Sequence, residues 1–298
     1  MRKIIAIGES VLDTVFHNGQ PVKAMVGGRI ANAVASLGAL NHPCFMVSEC
    51  CTDRVGDIIV DFFTAHNVDV NSIDRYTEGE SALSAIFEDG KRKRIINYGR
   101  YPGDRFDVVW PRIDKDDVII FGSLYAIDLP QRERLFELVT YAKQRSAIII
   151  YLPGFQHGIN FRITRVMPNI HENLEIADLI IATEHDLHDI FPGESDAEAW
   201  KNHIAYDNNS YAHINTDLTT SLHTQHLHHT YPAGTTAPVS NMLGWQAGYV
   251  AGLVDELFKR NITTAGLQEL NETQWGDLLA AATTMAATCA ASPTNTIG

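Results

Sequence analysis

Basic residues are scarce in this chain: 23 lysines and arginines stand against 36 aspartates and glutamates in 298 residues, a formal net charge of −13. That balance argues against a nucleic-acid or anionic-membrane surface. Cysteine is scarcer still, with 4 in all. Cys50 and Cys51 are adjacent and badly placed to pair with each other, Cys44 and Cys289 are isolated, and no metal-type spacing appears, so neither a disulfide framework nor a cysteine zinc site is expected. No apolar run approaches the roughly 20 residues that span a bilayer. The opening "MRKIIAIGES" meets Gly8 and Glu9 too early for a signal peptide, which makes the cytoplasm the expected compartment. Internal repeats and low-complexity linkers are absent too.

What is present is an ordinary globular composition, 45% hydrophobic and 20% charged, long enough for one large α/β domain or two smaller ones. "KIIAIG" (3–8), "DVIIFG" (117–122), "AIIIYL" (147–152) and "ADLIIAT" (177–183) are short Ile- and Val-rich runs with helical patterns between them. They predict buried parallel strands with crossover helices. "RIANAVASLGAL" (29–40) and "QRERLFELVTYAKQR" (131–145) are two such helices. Two segments, 13–26 and 81–99, break the alternation and read as hairpins, the second turning at "EDG". The expectation is a single α/β domain over 1–298, with a small β flap built from about 12–27 and 80–100.

Asp13 stands just past the first strand, and ligands of open α/β sheets bind at the carboxyl ends of strands. "VGGRIAN" supplies Gly27 and Gly28 before a helix, where a ligand can approach the backbone, and Asn32 one turn in, able to donate and accept. A helix cap, a plain turn and a surface asparagine explain the same residues without a ligand. Further on, "SNMLGWQAGYVAGLV" (240–254) reads as a loop, a glycine and a long amphipathic helix, with Tyr249, Val250, Leu253, Val254, Leu257 and Phe258 at core-facing spacing. A glycine turn feeding a helix N-terminus suits a phosphate, yet no acid stands beside it.

"IGESVLD", "GGRIANAVASLGA", "TDRVGDIIVDFFTAHNVDV" and "EDGKRKRIINYG" together resemble the ribokinase-like (PfkB) carbohydrate kinase family, whose pattern runs G-E-x-x-x-D, G-G-x-x-x-N-x-A, D-x-x-G and a lid hairpin. Order and spacing match over roughly the first 100 residues, and the later alternation extends the likeness over nearly the whole chain. The resemblance implies a mostly parallel central sheet flanked by helices with a β lid, a sugar, sugar phosphate or nucleoside ligand, and phosphate transfer from ATP with Mg. It implies that Asp13, Gly27, Gly28 and Asn32 contact substrate hydroxyls, and that the lid can pair two copies into a homodimer.

The nucleotide half departs from the family. The segment matching D-T-x-G-A-G-D reads "NMLGWQA": Gly244 survives, Trp245 and Gln246 replace Ala and Gly, and Ala247 stands where the catalytic Asp is expected. Trp245 is bulky enough to fill the space of the transferring phosphate. The next carboxylate, Asp255, is eight residues on, roughly 12 Å along a helix. The N-x-x-E that organises magnesium and phosphate becomes "TEHD", with Thr183 for Asn and Asp186 as a shortened acid. "INTDLTTSL" (214–222) lacks the glycine of V-T-x-G, and "YLPGFQ" (151–156) puts Leu152 and Gly154 at the Asp and Asn of D-P-N-x-R. Gly244, Trp245, Gln246, Ala247, Thr183 and Asp186 are thus the remnant of an anion and nucleotide site.

Other candidates are plainer. Strand alternation along "HTQHLHHTY" (223–231) would place His226 and His228 on one face, enough for two metal ligands, although an exposed hairpin explains the run and no metal is expected. "GKRKR" (90–94) is either a solvated lid edge or a phosphate-receiving face. Arg100 is a further candidate for the ligand mouth. "LLAAATTMAATCAAS" (278–292) is a small-residue helix that packs closely against a neighbour or, by resemblance, flanks an adenine pocket. Three functions stay open: a sugar- or nucleoside-binding member of the family impaired in phosphoryl transfer, an active sugar kinase with a rearranged nucleotide site, and a dimerising structural protein on a kinase scaffold.

Overall fold

The computed structural model describes residues 2–89, 92–103, 105–155, 162–205, 209–234 and 242–297, with backbone alone at 88–89 and 92–98. In chain order the elements are β1 (Ile4–Ile7), β2 (Val11–His17), β3 (Gln20–Gly27), α1 (Arg29–Ala39), β4 (Cys44–Cys51), α2 (Arg54–Ala65), β5 (Val68–Asp69), β6 (Ile73–Tyr76), β7 (Glu80–Asp89) and β8 (Arg92–Arg100). Then come β9 (Val118–Gly122), α3 (Arg132–Gln144), β10 (Ile148–Leu152), α4 (Ile163–Ile176), β11 (Leu179–Thr183), α5 (Glu184–Ile190) and α6 (Asp196–Ala199). The chain finishes with β12 (Ser210–Ile214), β13 (Thr220–His223), β14 (His228–Tyr231), α7 (Met242–Lys259), α8 (Thr264–Gln268) and α9 (Glu272–Ala291).

The four Ile- and Val-rich runs form β1, β9, β10 and β11 at the middle of one large sheet, ordered β14-β13-β12-β11-β10-β9-β1-β4-β5, with β6 also paired to β4. All its pairings are parallel except β12–β13 and β13–β14. Both faces are covered. Ile4 and Ala6 of β1, with Ile148, Ile150 and Leu152 of β10, join the core beneath α1, α7 and α9. Their neighbours Ile5, Ile7, Ile149 and Tyr151 join the opposite core beneath α3, α4 and α5. Alternation with period two, apolar on both sides, accounts for the continuous hydrophobic runs.

The second sheet is ordered β3-β2-β7-β8 and contains both hairpins. Asp53 fastens it to the body. Its Oδ1 accepts from the Gly56 N–H at 2.7 Å to cap α2, and its Oδ2 accepts from the Ser81 N–H at 2.8 Å at the start of β7. Burial opposes the charge, but the bonds from Ser81 and Gly56 hold the Asp53 carboxyl below its usual range.

The small-residue helix packs. A Cβ on Gly248 of α7 would lie 2.7 Å from the Met285 carbonyl, and one on Gly252 would lie 2.6 Å from the Met285 Cβ, so α7 and α9 meet almost backbone to backbone. No described helix is long and apolar enough to cross a membrane.

Candidate ligand site at the carboxyl edge

β1, β9, β10 and β11 all end at one edge of the large sheet, and the second sheet springs from it directly after β1. Asp13 is paired with Met25 of β3 on one side and Ser84 of β7 on the other. Its buried carboxylate lies across Gly27, where a Cβ would sit 1.9 Å from Oδ2, so this close approach requires glycine. Gly28 has φ +114°, a left-handed value that glycine tolerates, and a Cβ there would meet the Glu9 carbonyl at 2.5 Å. It starts α1 without a side-chain cap. Asn32 follows, with its N–H bonded to the Gly28 carbonyl at 3.0 Å. Asp13, Gly27, Gly28 and Asn32 therefore share one corner. Arg100 is exposed and paired with Glu80, three residues along β8 from the level of Ser84, about 10 Å at strand rise.

Four buried polar atoms of this edge have no described hydrogen-bond partner: Glu9 Oε2, Asn32 Oδ1, Ser84 Oγ and the Tyr125 hydroxyl. Such atoms are rare in native proteins because leaving one unpaired costs about 1–3 kcal/mol. Burial pushes the Glu9 carboxyl up to about 7, against the pull of Arg29, the Ser123 hydroxyl and the Tyr125 backbone. Beside it, Arg105 clamps the buried Glu49 carboxylate, donates to Asp128 at 2.9 Å and lies 4.6 Å over the Tyr101 ring, while the Tyr76 hydroxyl donates to Glu49 at 2.5 Å. This cluster ties Arg105 to Glu49, Asp128 and the Tyr101 ring.

The other half of the edge is closed. Thr183 and Asp186 form a capping box at the start of α5: the Thr183 hydroxyl and N–H donate to Asp186 Oδ2 at 2.7 and 2.9 Å. Arg29 covers both carboxylate oxygens, at 3.0 Å to Oδ1 and 3.2 Å to Oδ2, and also reaches the Pro153 carbonyl at 3.3 Å. Burial works against the Arg29 charge, yet Asp186 and Glu9 raise its pKa.

Of the stretch expected to form a loop before the helix, Ser240 and Asn241 lie outside the described residues, as do 235–239, and Met242 onward is α7. Gly244 is in the first turn, and from Gln246 onward the amides face carbonyls one turn back, so Gln246 and Ala247 do not offer N–H groups to an anion. The fully buried Trp245 ring joins the core, stacked 5.3 Å from Tyr249, whose hydroxyl meets Thr220 at 2.8 Å. Ala247 is fully buried as well, and Asp255 is held by His42 at 2.9 Å and Lys259 at 2.6 Å. The turn of "INTDLTTSL" is self-satisfied, with Asn215 donating to Thr219 and Ser221 and Asp217 accepting from Thr219.

The acid expected to organise magnesium, Asp186, is bidentate to Arg29. A magnesium nucleotide needs one or two protein carboxylates beside its phosphates, and Asp186 would have to leave that pairing to serve as one.

The histidine run is a hairpin, but its geometry differs from simple alternation. His226 lies in the turn, and cross-strand register instead pairs His223 with His228, their Nδ1 atoms 3.0 Å apart. Asp196, distant in sequence, binds His223 Nε2 at 2.9 Å. For "GKRKR", Gly90 and Lys91 lie outside the described residues and the rest is β8 backbone.

Sequence reasoning left Glu9 and Arg29 without roles. Each carried a signal: Glu9 follows the first-strand glycine, and Arg29 is a lone cation directly after the glycine pair.

A profile of pfkB family carbohydrate kinases matches residues 1–214. Over 198 residues the chain is 19% identical to a sugar kinase of Pyrococcus horikoshii that is described as uncharacterized, and the match spans 62% of each chain, less than two thirds of that relative's length. Among solved structures, aminoimidazole riboside kinase from Salmonella enterica, complexed with aminoimidazole riboside and an ATP analog, superposes with TM-score 0.78 at 16% identity, covering 98% of this chain and 94% of that one. A double-mutant fructokinase from Vibrio cholerae with fructose, ADP and potassium gives TM-score 0.79 at 16% identity, covering 100% and 94%. The Pyrococcus horikoshii sugar kinase in complex with ATP gives 0.77 at 17%, covering 97% and 92%. At such identities the likeness is one of fold: an α/β architecture with a mostly parallel central sheet flanked by helices, as in ribokinase-like sugar kinases. With its profile matched over more than half its length, the chain belongs to the PfkB family of carbohydrate kinases.

Proposed function

We propose that this protein binds a sugar or nucleoside at the Asp13 corner and is impaired in ATP-dependent phosphoryl transfer. Asp13 is the anchor, with Gly27 and Gly28 opening the backbone to the ligand, Asn32 contacting a hydroxyl and Arg100 standing at the mouth. The observation that carries the impairment is the engagement of Asp186 by Arg29 and Thr183, and the burial of Ala247 supports it. General-base catalysis contributes typically about 10²–10⁴ in rate, which an alanine cannot supply.

The test is a thermal-shift screen of sugars, ribosides and sugar phosphates with and without Mg-ATP, followed by product formation with labelled ATP. A ligand shift that Mg-ATP does not enlarge, with no product, is the expected result. Robust turnover by the unmodified protein overturns the reading. Asp13→Asn is expected to weaken the bound sugar roughly ten- to a hundred-fold, the worth of a charge-assisted hydrogen bond.

A second reading, an active kinase with a rearranged nucleotide site, is favoured by the match in fold to kinases holding ATP or its analog. Phosphoryl transfer depends chiefly on positioning and electrostatics, and the same labelled-ATP assay decides between the two readings. The second sheet exposes Val22 and Leu83, which supports pairing of two copies through it. Sedimentation of the wild type against Val22→Lys tests that contact.

A further inference from the structure

Resting on the sugar-binding reading, we infer that Glu9 is a ligand contact of that site. Its Oε2 accepts a hydroxyl hydrogen from the bound molecule, which is neutral and rich in hydroxyl groups rather than a sugar acid or sugar phosphate.

Three independent features converge on this residue. Glu9 abuts the glycine pair, since its carbonyl lies 2.5 Å from where a Cβ on Gly28 would be. The side chain is held from one side by the Ser123 hydroxyl and the Tyr125 backbone, while Oε2 is sealed from solvent and unpartnered. The hydrogen bonds of the nearby cation go elsewhere, from Arg29 Nη1 to Asp186 and the Pro153 carbonyl and from Nη2 to Asp186.

Asn32 Oδ1 can only accept, Glu9 Oε2 accepts when ionised, and Ser84 and Tyr125 can accept or donate. A polyol supplies several O–H donors at once. Among the described residues, Arg29 is paired with Asp186 and Arg100 stands at the mouth against Asp13 and ionised Glu9, so the corner offers an anionic ligand no surplus of positive charge.

A bound hydroxyl that stabilises ionised Glu9 couples affinity to its proton. The groups facing Glu9 are Ser123, Tyr125 and Arg29, none of which changes charge between pH 6 and 8. With the carboxyl near 7, affinity is expected to rise roughly tenfold from pH 6 to 8.

Calorimetry of the full chain with D-fructose, D-ribose and aminoimidazole riboside, against fructose 1-phosphate and gluconate, tests this at both pH values. The expected outcome is binding of at least one neutral ligand in preference to both anions. Glu9→Gln should weaken that ligand about tenfold at pH 8 and flatten its pH profile, while Glu9→Asp, which keeps the charge but loses reach, should weaken it and keep a pH dependence. Circular dichroism confirms that the variants fold. If Asp13→Asn weakens a neutral sugar and Glu9→Gln does not, the Glu9 inference alone is overturned. Preference for gluconate or fructose 1-phosphate overturns the ligand class. If none of the three neutral compounds binds, both the sugar-binding reading and this inference fall.

Discussion

The two halves of the carboxyl edge treat their polar groups in opposite ways. Around Asp13, Glu9 Oε2, Asn32 Oδ1 and Ser84 Oγ are buried with no described partner. Around Asp186, the carboxylate receives bonds from Thr183 and from two nitrogens of Arg29. Among the described residues, the orphans on that side are Trp245 Nε1, on a ring turned into the core, and the hydroxyl of Tyr151, which has Arg29 and Asp186 nearby. A surface that keeps buried acceptors unpaired sacrifices stability unless a ligand completes them. One whose acids are capped and neutralised has gained stability by giving up the free ligands that a metal phosphate would need. Under the proposed reading, the ligand end is the one with unpaired acceptors and the Asp186 end is reused for structure.

The sharpest way to break the contrast is at Trp245. If its role is core packing, Trp245→Ala should cost about 3–5 kcal/mol in urea unfolding and restore no ATP turnover. A loss below 1 kcal/mol, or any gain in turnover, would mean that the ring guards a phosphate site. The same logic revises the prospects for Ala247→Asp: it buries an unpaired carboxylate in α7, so both lower stability and no activity are expected.

Next in size is Arg29→Ala, which leaves the buried Asp186 carboxylate without its cation. Breaking such a pair is expected to cost about 3 kcal/mol. In the double variant Arg29→Ala with Asp186→Asn much of that loss should return. Additive losses across this cycle would argue against coupling of the two side chains.

Glu9 gives a smaller effect with a definite sign. An acid raised from 4.5 to about 7 keeps in the native state a proton that the unfolded chain releases, so its burden is absent below pH 4.5 and grows as pH rises through 7. The full shift is worth roughly 3 kcal/mol, and glutamine retains part of the desolvation cost. Glu9→Gln should therefore be more stable than wild type by about 2 kcal/mol at pH 8, with the gap closing towards pH 4.5. Melting curves across that range check it, and a gap that widens in acid contradicts it.

Arg100→Ala should be the mildest. As an exposed strand-end residue it should change stability by less than about 0.5 kcal/mol. Binding of whichever neutral sugar the thermal-shift screen finds should weaken about threefold, the worth of one exposed hydrogen bond. No change in affinity removes Arg100 from the mouth.

Much of the architecture was legible before any coordinates. Apolar runs such as "AIIIYL" can only be strands covered on both faces, and "GGRIAN" announces a close backbone approach before a helix. The hairpins at 13–26 and 81–99 declared themselves by composition and turn residues. The loop before α7 was misjudged because Gly244 was read as a turn, whereas the helix absorbs it and lets Trp245 reach the core. The histidine pair was misassigned because period-two reasoning considers one strand. His223 and His228 meet across two, and Asp196 arrives from a different element.

What the sequence determined alone is local: which segments are strands and helices, the glycine pair beside Asp13, and the replacement of the expected base by Ala247. The first two follow from periodicity and backbone freedom within a few residues, and the third from the resemblance to the family's D-T-x-G-A-G-D pattern. Only the tertiary structure decided which polar groups are spent and which are left over. Arg29 and Asp186 are separated by 157 positions, and no local rule states that they meet. Glu9 Oε2 is left without a described partner beside a cation whose hydrogen bonds go to Asp186 and Pro153, and only the fold brings those groups together.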